Sequence, residues 1–116
     1  MSYSLFRDTP APRIQKDIGE AVVAGHPVQH AELKFSDQGA AFKSGVWDCT
    51  AGTFTANYDG IVEFCHVLEG EATITTGTGE TYQVGAGDAF VLDAGLRTTW
   101  TVDTYIKKHF VISEVG

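Results

Sequence analysis

The sequence predicts an all-β fold, a small antiparallel β-barrel or jelly roll, on three observations. The chain has 116 residues, which suits one domain built around one core. Ten of its 13 glycines fall between Gly39 and Gly95, where they punctuate the chain as turn residues do. The runs between them are rich in Val, Ile, Thr, Phe, Tyr and Trp, side chains that fit a pleated, half-buried surface.

Taken in order, these runs place strands at 41–49, 53–58, 61–68, 71–76, 80–83, 88–92, 97–102 and 105–113. Eight short antiparallel strands of this spacing make a sandwich or jelly roll. Residues 1–38 are less regular and read as an N-terminal arm, with the main domain over 39–116. Within the arm, Ile14, Ile18, Ala21 and Val22 have the spacing of one short amphipathic helix, which Gly19 weakens. Residues 28–35, VQHAELKF, fit an extra edge strand that Pro27 can open but not enter.

Composition narrows the function. Eight Lys and Arg against 15 Asp and Glu give a net charge of −7, which repels a phosphate backbone, so nucleic acid is not an expected partner. No stretch approaches the roughly 18 apolar residues of a membrane span, and the N-terminus has no apolar core of an export signal. The expectation is a soluble, cytoplasmic protein with no membrane partner. Cys49 and Cys65 lack the spacing of a zinc site, and a reducing compartment disfavours a disulfide between them.

The segment EFCHVLEGE, Glu63 to Glu71, followed by GAGDAFVLDAG, Gly85 to Gly95, resembles the two sequence motifs of the cupin superfamily. Glu63 and Gly70 match the end of the first motif, and Gly87 and Gly95 match the glycines of the second. SGVWDCTAGTF (Ser44 to Phe54), EFCHVLEGE and DAGLRTTWTV (Asp93 to Val102) are similar to one subgroup, that of the ethanolamine-utilisation cupin and the cupin domain of (S)-ureidoglycine aminohydrolase. The resemblance spans residues 44–112 and implies an RmlC-like jelly roll, commonly dimeric.

The metal ligands of that superfamily do not carry over. The first-motif histidines fall on Asn57 and Asp59, or in the alternative spacing on Ala56 and Tyr58. The second-motif histidine falls on Thr98 and the proline on Asp93, so Glu63 alone remains of the usual four ligands. One carboxylate does not hold a first-row ion, and the expectation is no metal and no cofactor. His66, Cys65, Asp59 and His109 are the residues from which a site with Glu63 would have to be rebuilt. Strand parity opposes it for His66, which points away from the face shared by Ile61, Glu63, Cys65 and Val67.

The expected pocket lies inside the barrel, with Glu63, Cys65, Thr98 and Trp100 facing inward by parity. Tyr58 or Asp59 closes a rim, and Trp47 and Arg97 stand nearby. A lone carboxylate in an apolar barrel has its charged form disfavoured and is a candidate acid or base; as a structural group it would instead pair with Arg97. Trp47 and Trp100 also read as core filling, Cys65 as an inert thiol, Lys107 and Lys108 as a solvated strand end, and Asp93 as a turn residue.

Two functions follow. The first is a stand-alone cupin that binds a small metabolite without a transition metal. The second is a hydrolase- or isomerase-type enzyme with Glu63 as general acid/base, helped by Tyr58 or Cys65. A third reading is an interaction role in which the jelly roll pairs through the face carrying Phe64, His66 and Leu68, and a homodimer is expected.

Overall fold

A computed structural model describes residues 1–115 and shows an all-β molecule. Eight strands form in chain order: β1 (Ile14–Lys16), β2 (Val22–Gly25), β3 (Gln29–Ser36), β4 (Phe42–Asn57), β5 (Ile61–Thr76), β6 (Thr81–Gly85), β7 (Ala89–Leu92) and β8 (Arg97–Glu114). All pairings are antiparallel.

Three pairs of expected strands are continuous. The runs 41–49 and 53–58 fuse into β4, 61–68 and 71–76 into β5, and 97–102 and 105–113 into β8. In β4 and β5 the glycine at the junction bends the strand through a bulge instead of ending it: the β4–β8 register slips between Thr50 and Gly52, and the β5–β8 register between Gly70 and Thr73. Each long strand therefore serves two layers. The first half of β4, the second half of β8 and the first half of β5 carry β3, β1 and β7. The second half of β4, the first half of β8 and the second half of β5 carry β2 and β6. This is the jelly-roll arrangement, with two inward faces closing on one core.

Gly70 shows why the bend needs glycine. Its φ is +77°, and an added Cβ would lie 1.8 Å from the Tyr105 carbonyl oxygen. Gly87 and Gly95, the other motif glycines, also have positive φ, as sharp corners require.

The helix expected from Ile14 to Val22 does not form. Gly19 has φ +39°, a 3-10 turn spans Gly19–Ala21, and the flanking residues extend as β1 and β2 to pair with β3 and β4. Pairing with the sheet outweighs a short helical pattern whose apolar residues are exposed or half-buried. The strand expected at 28–35 is β3, and β1 covers it over Gln29–Ala31. The arm is further tied down by Arg13, whose guanidinium donates to both carboxylate oxygens of buried Asp48 at 2.8 and 2.9 Å.

The core joins Trp47, Cys49, Cys65, Ile106 and Phe110 from one layer to Phe54, Ile74, Trp100 and Val102 from the other. Phe54 stacks on Trp100 with ring centroids 6.0 Å apart, and Trp47 meets Trp100 edge-on at 5.8 Å. Each such aromatic pair adds about 0.5–1.5 kcal/mol beyond its burial. No helix among the described residues is long and apolar enough to cross a membrane.

Replacing Gly70 by Ala is expected to cost well over the ~1–2 kcal/mol of a left-handed Cβ, because backbone blocks the new methyl group. Gly79→Ala, in an open turn at φ +90°, is expected to cost only that conformational term. Urea unfolding of the two variants measures the difference.

Candidate functional site

A cavity of about 300 Å³ opens into the barrel between the layers, lined chiefly by Trp47, Phe54, Tyr58, Glu63, Trp100 and Lys108, with Lys16 and Gln29 from the arm side. Its chemistry centres on β5 and β8. Glu63 and Cys65 lie two residues apart on the inward face of β5, as parity predicts, and both are buried. Lys108 lies opposite Val67 on the neighbouring strand, and its long side chain runs back past Cys65 to reach the carboxylate.

The result is a closed triangle. The Lys108 ammonium donates to Glu63 Oε2 and, at 3.2 Å, to Cys65 Sγ; the Cys65 thiol donates to the same Glu63 oxygen at 3.2 Å. The ammonium also stands 4.8 Å from the centre of the Trp47 ring and 5.4 Å from that of Trp100. Both rings add cation–π attraction to the buried ammonium. Trp47 is fixed by its indole N–H donating to Gln29 Oε1 at 3.1 Å. Trp100 is fixed by donating to Thr98 Oγ1 at 3.1 Å, and that hydroxyl in turn donates to the Ala56 carbonyl at 2.6 Å.

Burial by itself would push the Lys108 ammonium toward losing its proton, but the charge of Glu63 outweighs it and holds the pKa above the usual lysine value. Lys108 is thus a fixed cation. Burial raises the Cys65 thiol to about 12 despite the lysine beside it, and raises Cys49 likewise to about 12. The Tyr58 phenol is also raised, first by burial and then by Glu63. Both cysteines are free thiols.

Several sequence expectations change. Lys108 is not a solvated strand end: it is 4% exposed, while Lys107 remains half-buried. Glu63 is neither a lone carboxylate nor the partner of Arg97, because Lys108 supplies its countercharge. Arg97 instead lies 3.5 Å from Asp59, and the two side chains, 63% and 67% exposed, stand outside the cavity. Cys65 and Thr98 support the cavity from behind its surface, whereas Trp47, Tyr58, Glu63 and Trp100 line it. His66 faces the other way, beside His109 with ring centroids 6.3 Å apart, and Phe6 packs edge-on to His109. Burial, followed by His66 and Lys107, lowers the His109 pKa. Asp93 caps the following residue, accepting from the Ala94 N–H at 2.8 Å, as a turn residue does.

Lys108 is the candidate-site residue that the sequence did not single out. Its signal was the alternation Ile106, Lys108, Phe110, Ile112, which puts the lysine on the inward parity of β8. A buried carboxylate also demands a buried partner.

A family model, that of the EutQ-like cupin domain, matches residues 36–110. The chain belongs to the EutQ-like cupin family. Solved structures agree on the fold. A Pseudomonas syringae protein of unknown function is 21% identical with a TM-score of 0.77, over 91% of this chain and 46% of that one. A putative ethanolamine utilization protein from Salmonella typhimurium is 18% identical with a TM-score of 0.68, over 92% of this chain and 99% of that one. A Thermotoga maritima protein, from the same family as the Pseudomonas one, is 34% identical with a TM-score of 0.54, over 56% of this chain and 73% of that one. This cupin spans about half the length of the Pseudomonas protein. Among curated proteins, none matches the sequence.

The residues of this cupin do not fit the metal its superfamily implies. Among the described residues no three His, Cys, Asp or Glu side chains converge. The one buried carboxylate of the cavity already holds an ammonium, which would repel a second cation.

Lys108→Met is expected to cost about 3–5 kcal/mol, since it strands a buried carboxylate. Combining it with Glu63→Leu should restore most of that loss, and chemical denaturation of the two variants decides. The raised pKa values fix a pH response as well. Thiols released on unfolding ionise above about 9, whereas Cys49 and Cys65 hold their protons to about 12 when folded. The folded state binds more protons over that window, so stability is full below pH 9 and falls as pH rises toward 12. Lys108, also raised, acts with the same sign. The urea midpoint is therefore expected to stay level from pH 7 to about 8.5 and decline above it, and a thiol reagent at pH 8 should label only unfolded chains.

Proposed function

We propose that this cupin binds a small metabolite in its barrel cavity and does so without a transition metal. The observation that carries the reading is the buried Lys108–Glu63 pair on the cavity wall, which supplies charge and hydrogen-bonding groups from side chains alone. The surrounding indoles and phenol give the apolar contact area that small-ligand sites use, with a few polar groups to fix orientation. Its likeness in fold to a protein of unknown function and to an ectoine synthase supports the architecture and leaves the ligand to the site.

The second reading, an acid/base enzyme, rests on Glu63 lining the cavity. Its helpers are weak: the Cys65 and Tyr58 pKa values lie far above neutrality, so neither group serves as a base near pH 7. Lys108, held protonated, is a fixed charge and not a nucleophile. The binding reading is therefore the simpler one. The proposal keeps the homodimer, supported by Phe64 and Val91, cross-strand neighbours that are 42% and 59% exposed on the outer face.

A thermal-shift panel of small acids, amides and sugars tests the reading. A ligand at a hundred times its Kd adds about 2.7 kcal/mol, which for a domain of this size raises Tm by roughly 10 °C. Ala31→Phe, which adds a ring to the cavity wall and takes up its volume, is expected to abolish that shift while the variant remains folded by circular dichroism. Elemental analysis should find manganese, iron and zinc far below one per chain. A stoichiometric metal, or a ligand shift that survives Ala31→Phe, would overturn the proposal.

A further inference from the structure

The buried pair leaves two hydrogen-bonding positions unused, and their pairing points to a ligand chemistry. Glu63 accepts both of its bonds, from Lys108 and Cys65, on Oε2; none of the described residues donates to Oε1. Every fully enclosed side-chain oxygen or nitrogen among the described residues has a partner, so Oε1 is not enclosed, and Glu63 lines the cavity. Lys108 has three N–H groups. Glu63 and Cys65 take two, and the third has no acceptor among the described residues, although Lys108 also lines the cavity. One acceptor and one donor thus stand on two touching side chains that open to the same space.

The charges decide what fits there. The pair is neutral and buried, so an anion drawn to Lys108 meets Glu63, and a cation drawn to Glu63 meets Lys108; Lys16, the other charged lining residue, is exposed on the arm side, where water screens it. A neutral planar group with an N–H beside a C=O satisfies both at once, and leaves no buried polar atom unpaired. The walls add shape: Trp47, Phe54, Tyr58 and Trp100 offer aromatic surface suited to a flat body.

Resting on the cavity reading above, we infer that the ligand of this cupin is a small, flat, neutral molecule with a carboxamide or lactam edge. Its N–H donates to Glu63 Oε1 and its carbonyl accepts from Lys108 Nζ. The geometry selects against free carboxylates and free amines of the same size.

Four probes of one shape test it on the full chain: benzamide, acetophenone, benzoate and benzylamine, titrated while tryptophan fluorescence reports on Trp47 and Trp100. Benzamide is expected to bind at least about tenfold tighter than acetophenone, which lacks the donor, and tighter than either charged probe. In the Glu63→Leu/Lys108→Met variant the apolar walls remain, so acetophenone binding should hold within about twofold while the benzamide advantage disappears. If that variant does not fold, the ranking on the unmodified chain decides alone. Benzoate or benzylamine binding best, acetophenone matching benzamide, or an advantage that survives the double replacement would each overturn the inference and leave the cavity reading standing. Silence from all four probes at about 10 mM, where even weak sites fill, would remove both.

Discussion

One buried ion pair organises this molecule's interior. Taking the Glu63 carboxylate and the Lys108 ammonium out of water costs several kcal/mol each, and only their mutual attraction and good hydrogen bonding offset it. The barrel meets that demand with a third member, the Cys65 thiol, and with two indole faces beside the ammonium. The indoles are themselves held by Gln29 and Thr98. The polar triangle and the aromatic core are therefore one structure: disturbing either exposes the other.

That arrangement depends on the way the strands bend. Lys108 and Glu63 belong to β8 and β5, long strands that cross from one layer to the other, and their register is set by the bulges near Gly70. A one-residue slip would turn Glu63, Cys65 and Lys108 outward together and bring His66 and His109 in. The backbone crowding at Gly70, where Tyr105 leaves no room for a side chain, pins the register that keeps acid and base on the same side.

The site also shows how this fold can carry a charged centre built from its own side chains. In metal-binding cupins the cation comes from outside and several imidazoles hold it. Here the positive charge is covalently part of β8, and the single carboxylate that remains of the motif is its counterion. Glu63 holds the ammonium charged beyond the usual lysine range, and burial keeps the thiol and phenol around it protonated.

Much of the fold was legible in one sequence. Alternation placed Glu63 and Cys65 together and turned His66 away, and the spacing of Gly70, Gly87 and Gly95 marked the corners, because side-chain parity and positive φ are local properties. Local signals also misled: glycines at bulges look like glycines at hairpins, so β4 and β5 read as two strands each, β8 read as two on either side of Asp103 and Thr104, and Ile14 to Val22 read as a helix because nothing in the segment reveals the sheet it joins. Asp59, expected as one of two residues closing the rim, and Arg97, expected nearby, pair with each other in solvent. What the sequence determined by itself was the β architecture, the loss of the imidazoles and an inward-facing acid. Which cation answers that acid was decided only in three dimensions, because Lys108 lies 45 residues from Glu63 and becomes its partner through the pairing of β5 with β8.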